Sequence, residues 1–205
     1  MRLVRALALL AAASGFRLGD LGLRVRRAGL DDLDELADLR ATASPFAMSY
    51  RAAANREAND DAAEARRLLR ETFCRGIASG AAACYVAEEW GRPAIVGYCD
   101  VTTRPALGPA LGEHAYVKNL RVLPEHRRRG VGERLVRACL GHAARAYGTL
   151  DSVALEVDDD NDAAARLYAR LGFASTASLG EPAALWKYGT FCWGRTLMYR
   201  PNDGP

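Results

Sequence analysis

The residues with the clearest chemical potential are Arg127-Arg128-Arg129-Gly130-Val131-Gly132. They follow a stretch of strand character, His114 to Val122, that Pro124 stops. They lead into Val131, Leu135, Val136, Cys139 and Leu140 at helical spacing. A strand, a glycine-containing turn and a helix start gather unpaired backbone N–H groups at one point, where the positive end of the helix dipole also lies. Such a point is an anion cradle and suits a phosphate or pyrophosphate. The run is not a Walker loop, which needs Gly-Lys-Ser/Thr after its spacer. Nor is it the dinucleotide fingerprint, which needs a third glycine. Taken without its flanks, the arginine run would be a solvated face or a nucleic-acid patch.

The elements that must hold this turn can be read along the chain. Leu23 to Ala28 has strand character, and Asp31 or Asp32 can cap a following helix that carries Leu30, Leu33, Leu36, Ala37 and Arg40. Ser44 to Asn59 gives no clear pattern. Asp60 to Ser79 is helical, with Ala65, Leu68, Leu69, Phe73 and Ile77 along one side, and Gly80 closes it. A hairpin follows: Ala83 to Glu88, a turn at Trp90-Gly91-Arg92-Pro93, and Ile95 to Thr103. Arg104 to Gly112 is a loop rich in proline and glycine. After the central helix, Ser152 to Val157 reads as a strand and Asp162 to Leu171 as a helix with Gly172 at its C′ position. Ala174 to Ala184 is loop-rich, Thr196 to Tyr199 a last strand, and Pro201 to Pro205 a frayed tail.

Composition narrows the function classes. A chain of 205 residues, 50% hydrophobic, can build one domain with a sizeable core. A net charge of +3 is too mild to argue for nucleic acid. Cys74, Cys84, Cys99, Cys139 and Cys192 are scattered with no C-x-x-C pair, as expected of core residues in a reducing compartment. His114, His126 and His142 do not have metal-ligand spacing, so no metal is expected. No apolar run approaches the ~20 residues that span a bilayer. Met1 to Gly22 has the layout of a targeting leader, with Arg2 and Arg5 flanking Ala6 to Ala13 and small residues after; a disordered N-terminus is the alternative. Ala13-Ser14-Gly15-Phe16 resembles the cleavage boundary of plastid presequences in algae with complex plastids, which points to the plastid, with the cytoplasm as the alternative.

The turn matches R-x-x-G-x-G and, after its strand, resembles the acetyl-CoA pyrophosphate loop of the GNAT N-acetyltransferases. A second stretch, Leu155-Glu156-Val157, Asn161, Ala164, Leu167-Tyr168 and Leu171-Gly172-Phe173, resembles the strand-and-helix segment of the same family. The segment around Glu156 is most similar to ribosomal-protein alanine N-acetyltransferases. Tyr116-Val117-Lys118-Asn119-Leu120 and the leader are similar to plastid protein acetyltransferases. The resemblance covers Leu23 to Arg200. It implies an α/β (α+β) GNAT fold: a mixed, mostly antiparallel sheet of about six to seven strands with a central parallel splayed pair, flanked by about four helices. The splayed pair would be His114–Val122 and Ser152–Val157, and the pantetheine arm of acetyl-CoA would lie between them.

The resemblance also implies roles. Leu120, Arg121, Val122, Arg127, Arg128, Arg129, Gly130, Val131, Gly132, Asn161 and Tyr168 would hold acetyl-CoA, with the Val122 N–H on the thioester oxygen. Glu156 would be the base that takes a proton from the amine, and Tyr168 the acid toward the leaving sulfur. Without the resemblance, Glu156 would read as a surface carboxylate in a salt bridge, Tyr168 as a core aromatic and Asn161 as a helix N-cap. Tyr116 stands where the histone-type branch has a glutamate. A tyrosine there is similar to one group of eukaryotic N-terminal acetyltransferases, so Tyr116 could share the base role with Glu156 or line the acceptor channel.

The acceptor is less legible. An α-amine titrates near ~7.7–8.0 and a lysine near ~10.4, so a single carboxylate suits a protein N-terminus and also works for small amines. The leading expectation is a protein N-acetyltransferase acting on α-amines and also lysine. A small amine (polyamine, aminoglycoside or amino acid) is the alternative, favoured by an acidic channel near Asp100, Glu113 or Asp158–Asp160. A non-catalytic acyl-CoA-binding sensor is a further alternative.

Overall fold

The computed structural model describes residues 22–41, 82–89, 92–105, 112–175 and 195–202, together with residues 67, 70, 71 and 76. Among the described residues the strands are β1 (Leu23–Arg27), β2 (Ala82–Glu89), β3 (Arg92–Arg104), β4 (His114–Val122), β5 (Ser152–Asp158), β6 (Ala174–Ser175) and β7 (Arg195–Pro201). The helices among the described residues are α1 (Leu33–Ala41), α2 (Val131–Ala146) and α3 (Asp162–Arg170). The seven strands form one sheet in the order β1-β2-β3-β4-β5-β7-β6. Every neighbouring pair is antiparallel except β4–β5. That pair is parallel because α2 carries the chain back from the end of β4 to the start of β5, the crossover that parallel neighbours need.

The parallel pairing is short. Ala115 opposes Val153 and Tyr116 opposes Ala154, and there the register ends, although β4 runs on to Val122 and β5 to Asp158. The central strands therefore splay apart, as the resemblance implies. The burial along β4 follows from this. His114 to Val117 are buried without alternation, because both faces are covered there. From Lys118 onward the strand becomes exposed or half-buried, where β5 has left it.

One face of the sheet packs on α2, which buries Val131, Leu135, Val136, Cys139 and Ala143 against Ala83, Ala87, Val101 and Val117. A side chain such as Leu135, 0% exposed, contributes about 1.5–3 kcal/mol by leaving water. On the other face Leu36 of α1 packs with Cys84, Val86, Ile95 and Tyr98, and Tyr116, Ala154 and Leu197 form a smaller cluster. The approach to α1 is fixed by Asp32, which accepts from the Gly29 N–H (2.7 Å) and takes both Nη atoms of Arg26 at 2.7 Å. The Arg26 guanidinium holds the Asp32 carboxyl below the usual carboxylate range.

Several sequence expectations need correction. The hairpin strands are longer than their apolar cores, reaching Glu89 on one side and back to Arg92 on the other. The frayed tail does not begin at Pro201. Pro201 pairs with Ser152 in β7, as a strand end tolerates a missing N–H, and the Asn202 N–H donates to the Asp151 carbonyl (2.9 Å). The Asn202 side chain donates to the carbonyls of Tyr147 and Leu150, both at 2.9 Å, so it ties off the α2–β5 connection. Ala174 and Ser175, read as loop, form β6 on β7. The leader over residues 1–22, apart from Gly22, lies outside the described residues. So do the 44–59 segment, residues 90–91 of the hairpin turn, 106–111, 176–184 and 203–205. Of the helix expected over 60–79, the described residues 67, 70, 71 and 76 are helical.

Candidate active site

At the end of β4 the Leu123 N–H donates to the Val96 carbonyl (2.9 Å). Consecutive residues of an antiparallel strand point their N–H groups to opposite sides, so the Val122 N–H is directed away from β3 and into the gap left by β5. Gly97, opposite Val122, permits this close approach, since a Cβ there would stand 2.7 Å from the Arg121 carbonyl oxygen. A short helical turn, Pro124–His126, then leads into the bend. Arg128 (φ 63°) and Gly130 (φ 79°) both take the left-handed conformation that brings the chain round into α2. The first intrahelical bond is Arg134 N–H to the Gly130 carbonyl (3.1 Å), so the N–H groups of Val131, Gly132 and Glu133 have no acceptor within the helix. A Cβ on Gly130 would meet nothing within 4 Å, so the space before these amides is open. This is a fit for a diphosphate: several amide donors, the positive end of a sixteen-residue helix and open space at Gly130.

The arginines divide their tasks. Arg127 Nε donates to the Val122 carbonyl (3.1 Å) and closes the bend, and Arg128 is exposed. Arg129 turns back to β2, where its Nη1 is 3.1 Å from Glu89 Oε1 and 3.1 Å from His126 Nδ1. The half-buried Leu120 and Val122 pack against the α2 cluster, and Arg121 registers with Tyr98.

A bulge shapes the gap. From Tyr98↔Arg121 the register steps to Asp100↔Lys118, two residues on β3 against three on β4. The extra residue falls at Asn119, whose φ of 56° is one that asparagine tolerates. Asn119 Nδ2 donates to Asp100 Oδ2 at 2.7 Å, and Asp100 is buried. The bulge reverses the alternation, so that Val117 and Leu120 both face α2. It lies just beyond the last β4–β5 pair, where a bent, more twisted strand parts from its neighbour.

On the sheet face away from α2, three strands bring Arg104, Tyr116 and Glu156 together. Arg104 ends β3, Tyr116 is the last β4 residue paired with β5, and Glu156 lies two residues past its partner Ala154. Arg104 Nη1 is 3.2 Å from Glu156 Oε1, and its Cζ sits 3.5 Å from the centroid of the Tyr116 ring. The arginine side chain is 40% exposed and the glutamate 21%, so the ion pair contributes at most about 1 kcal/mol. The ring contact adds about 0.5–1 kcal/mol. Beneath them His114 is fully buried, its Nδ1 2.9 Å from the Gly112 carbonyl and its ring edge-on to Tyr116. Burial pushes the His114 imidazole down, with Arg104 adding to the effect, which keeps it neutral with Nδ1–H donating. Its Nε2 is buried with no hydrogen-bond partner among the described residues.

Tyr168 projects from α3 into the main core, edge-on to Phe173 at 5.9 Å. Burial pushes its phenol well up, with smaller contributions from Cys99 and Tyr116, so it carries its proton at neutral pH. Asn161 caps α3, its Oδ1 accepting from the Ala164 N–H at 3.1 Å. Sequence reasoning singled out Glu156, Tyr116 and Tyr168 but read Arg104 as the start of a loop. The bulge at Asn119 is outside the sequence expectations too. Its one sequence signal is an asparagine inside an otherwise strand-forming run. Among the described residues no group of three His, Cys, Asp or Glu side chains is placed to hold a metal ion.

A gap between splayed strands that ends in an amide cradle, with a carboxylate and a tyrosine at its mouth, is an arrangement suited to an acyl-CoA-dependent transferase. Residues 45–173 match the acetyltransferase (GNAT) family, and the chain belongs to that family of acetyl-CoA-dependent acyltransferases. No curated protein matches the chain. Among solved structures it is similar to yncA from Salmonella typhimurium, determined with its cofactor acetyl-CoA (TM-score 0.60, 21% identity, covering 88% of this chain and 94% of that one). It is also similar to Arabidopsis thaliana NAA60 in complex with a bisubstrate analogue (TM-score 0.58, 16% identity, 89% and 99% covered). A chimera of spermidine N-acetyltransferase SpeG from Vibrio cholerae and hSSAT is a third (TM-score 0.55, 18% identity, 88% and 95% covered). At these identities the likeness is one of fold.

Proposed function

We propose that the protein transfers the acetyl group of acetyl-CoA to the α-amine of a protein N-terminus, and to lysine as well, with Glu156 as base and Tyr168 as acid. The observation that carries this reading is the placement of Glu156 and Tyr116 together at the mouth of the β4–β5 gap, whose other end is the amide cradle. Bound acetyl-CoA supplies a thioester carbonyl for attack and a thiolate as leaving group. The amides of Val131 to Glu133 bind its diphosphate, and the Val122 N–H stabilises the charge that grows on the carbonyl oxygen. Glu156 takes one proton from the ammonium, which frees the nitrogen lone pair. The N–C bond forms, the C–S bond breaks, and the nitrogen loses its second proton. Tyr168 donates its proton to the sulfur and regains one from that nitrogen, so one proton leaves through Glu156 for each amide made. An α-amine, titrating near ~7.7–8.0, asks little of a single carboxylate.

Offering the protein acetyl-CoA with a peptide library and a panel of small amines, read by mass spectrometry, tests the reading. Acetylated peptide N-termini support it, and acetylation confined to small amines replaces it with the second reading. That second reading, a small polycationic amine, is favoured by Asp158, Asp159 and Asp160, which are exposed where β5 ends near the gap. The first 22 residues belong to the proposal as a plastid leader, and sequencing the mature N-terminus of the protein from its native cell checks that.

A further inference from the structure

Arg104 sits where the reading above needs an acceptor's charged nitrogen. An aromatic face with a carboxylate at its edge is the combination that recognises an organic cation, and here both groups are engaged by a cation of the protein itself. We propose that the Tyr116 ring and the Glu156 carboxylate form a subsite for alkylammonium and guanidinium cations, and that Arg104 is its built-in occupant, displaced when an acceptor amine enters. The proposal rests on the reading that this face receives the acceptor.

Three features support displacement over a permanent strut. The arginine lies on the solvent side, 40% exposed, above a glutamate that is 21% exposed and a tyrosine that is 4% exposed. It can therefore swing outward into water without stranding a buried charge. Its single carboxylate contact is through one Nη atom at 3.2 Å, not the bidentate grip that Arg26 has on Asp32. The exchange also conserves charge, since an incoming ammonium replaces a guanidinium opposite the same carboxylate. The neutral His114 beneath adds no repulsion to the incoming cation. Arg104 thereby sets acceptor affinity by competition: every acceptor must outbid a tethered cation, and a weakly held one is refused.

The test reads cation binding without catalysis. Methylguanidinium and butylammonium are titrated into wild-type protein, Arg104→Ala, Arg104→Gln and the Arg104→Ala/Glu156→Gln double variant, with affinity followed by NMR shifts of the tyrosine rings. The single variants should bind either cation about tenfold tighter than wild type, the loss of one exposed ion pair and one ring contact as competitor. The double variant should lose that gain, and acetyl-CoA affinity should be the same in all four. Equal cation affinity in wild type and both single variants overturns the proposal, as does a gain that survives in the double variant. Should Arg104→Ala fail to fold, Arg104→Gln, which keeps a hydrogen-bond donor for Glu156, carries the comparison. If no amine is ever acetylated, the enzymatic reading falls while this affinity pattern still decides the subsite.

Discussion

The two ends of the β4–β5 gap are built from different materials. The coenzyme end is backbone: the amides that begin α2, a glycine with open space before it, and the Val122 N–H. The end proposed for the acceptor is side chains from three separate strands, Arg104, Tyr116 and Glu156. Backbone donors are fixed once the strand–turn–helix forms, so they bind a common ligand and change little with sequence. Side chains can be exchanged singly, so the proposed function puts chemistry and acceptor choice there. The molecule separates what it holds from what it chooses.

Substitutions at the two ends should break apart along this division. Glu156→Gln should lower kcat/KM about 10²–10⁴-fold, most severely at low pH where the amine is charged, while calorimetry shows acetyl-CoA affinity unchanged. An unaltered pH–rate profile would remove Glu156 from the base role. Gly130→Asp should do the reverse, since it adds bulk, negative charge and a strained positive φ to the cradle. Acetyl-CoA affinity should fall at least about 100-fold with the fold retained by circular dichroism. Tyr168→Phe should slow turnover about tenfold or more with little change in coenzyme affinity, and full activity would dismiss it as the acid.

The smallest effect concerns stability beneath the acceptor end. Burial lowers the folded-state value of His114, so below its ordinary value near ~6.5 the unfolded chain takes up a proton that the folded chain does not. Stability is therefore retained above about pH 6.5 and falls as pH drops below it, by at most about 1.4 kcal/mol per pH unit for this group. Urea midpoints at neutral and mildly acid pH should converge in His114→Gln relative to wild type. His142, lowered by burial as well, leaves a residual slope.

Legibility followed the same division. The cradle could be read because it is local: strand, glycine bend and helix are contiguous, and each has its own pattern. The bounds of β4 and the start of α2 fall where proline and the apolar spacing put them. Arg104 could not be read. Its meaning depends on Glu156, 52 residues away, and on a stacking contact that no spacing rule encodes. The bulge at Asn119 depends on the register of β3 against β4, which periodicity does not specify. Asn202 looked like tail because its partners are carbonyls of a distant connection, and polar terminal residues give no sign of such ties.

Among the described residues, the backbone pairing between the sheet's two wings is limited to the rungs at Ala115–Val153 and Tyr116–Ala154. Mechanically this is a book bound by two stitches, with α2 packed on the page formed by β1 to β4. Whatever lodges between the pages shares in fastening them. Occupancy at one end should therefore be felt as stiffness at the other, and the order in which the two substrates arrive acquires a structural cause.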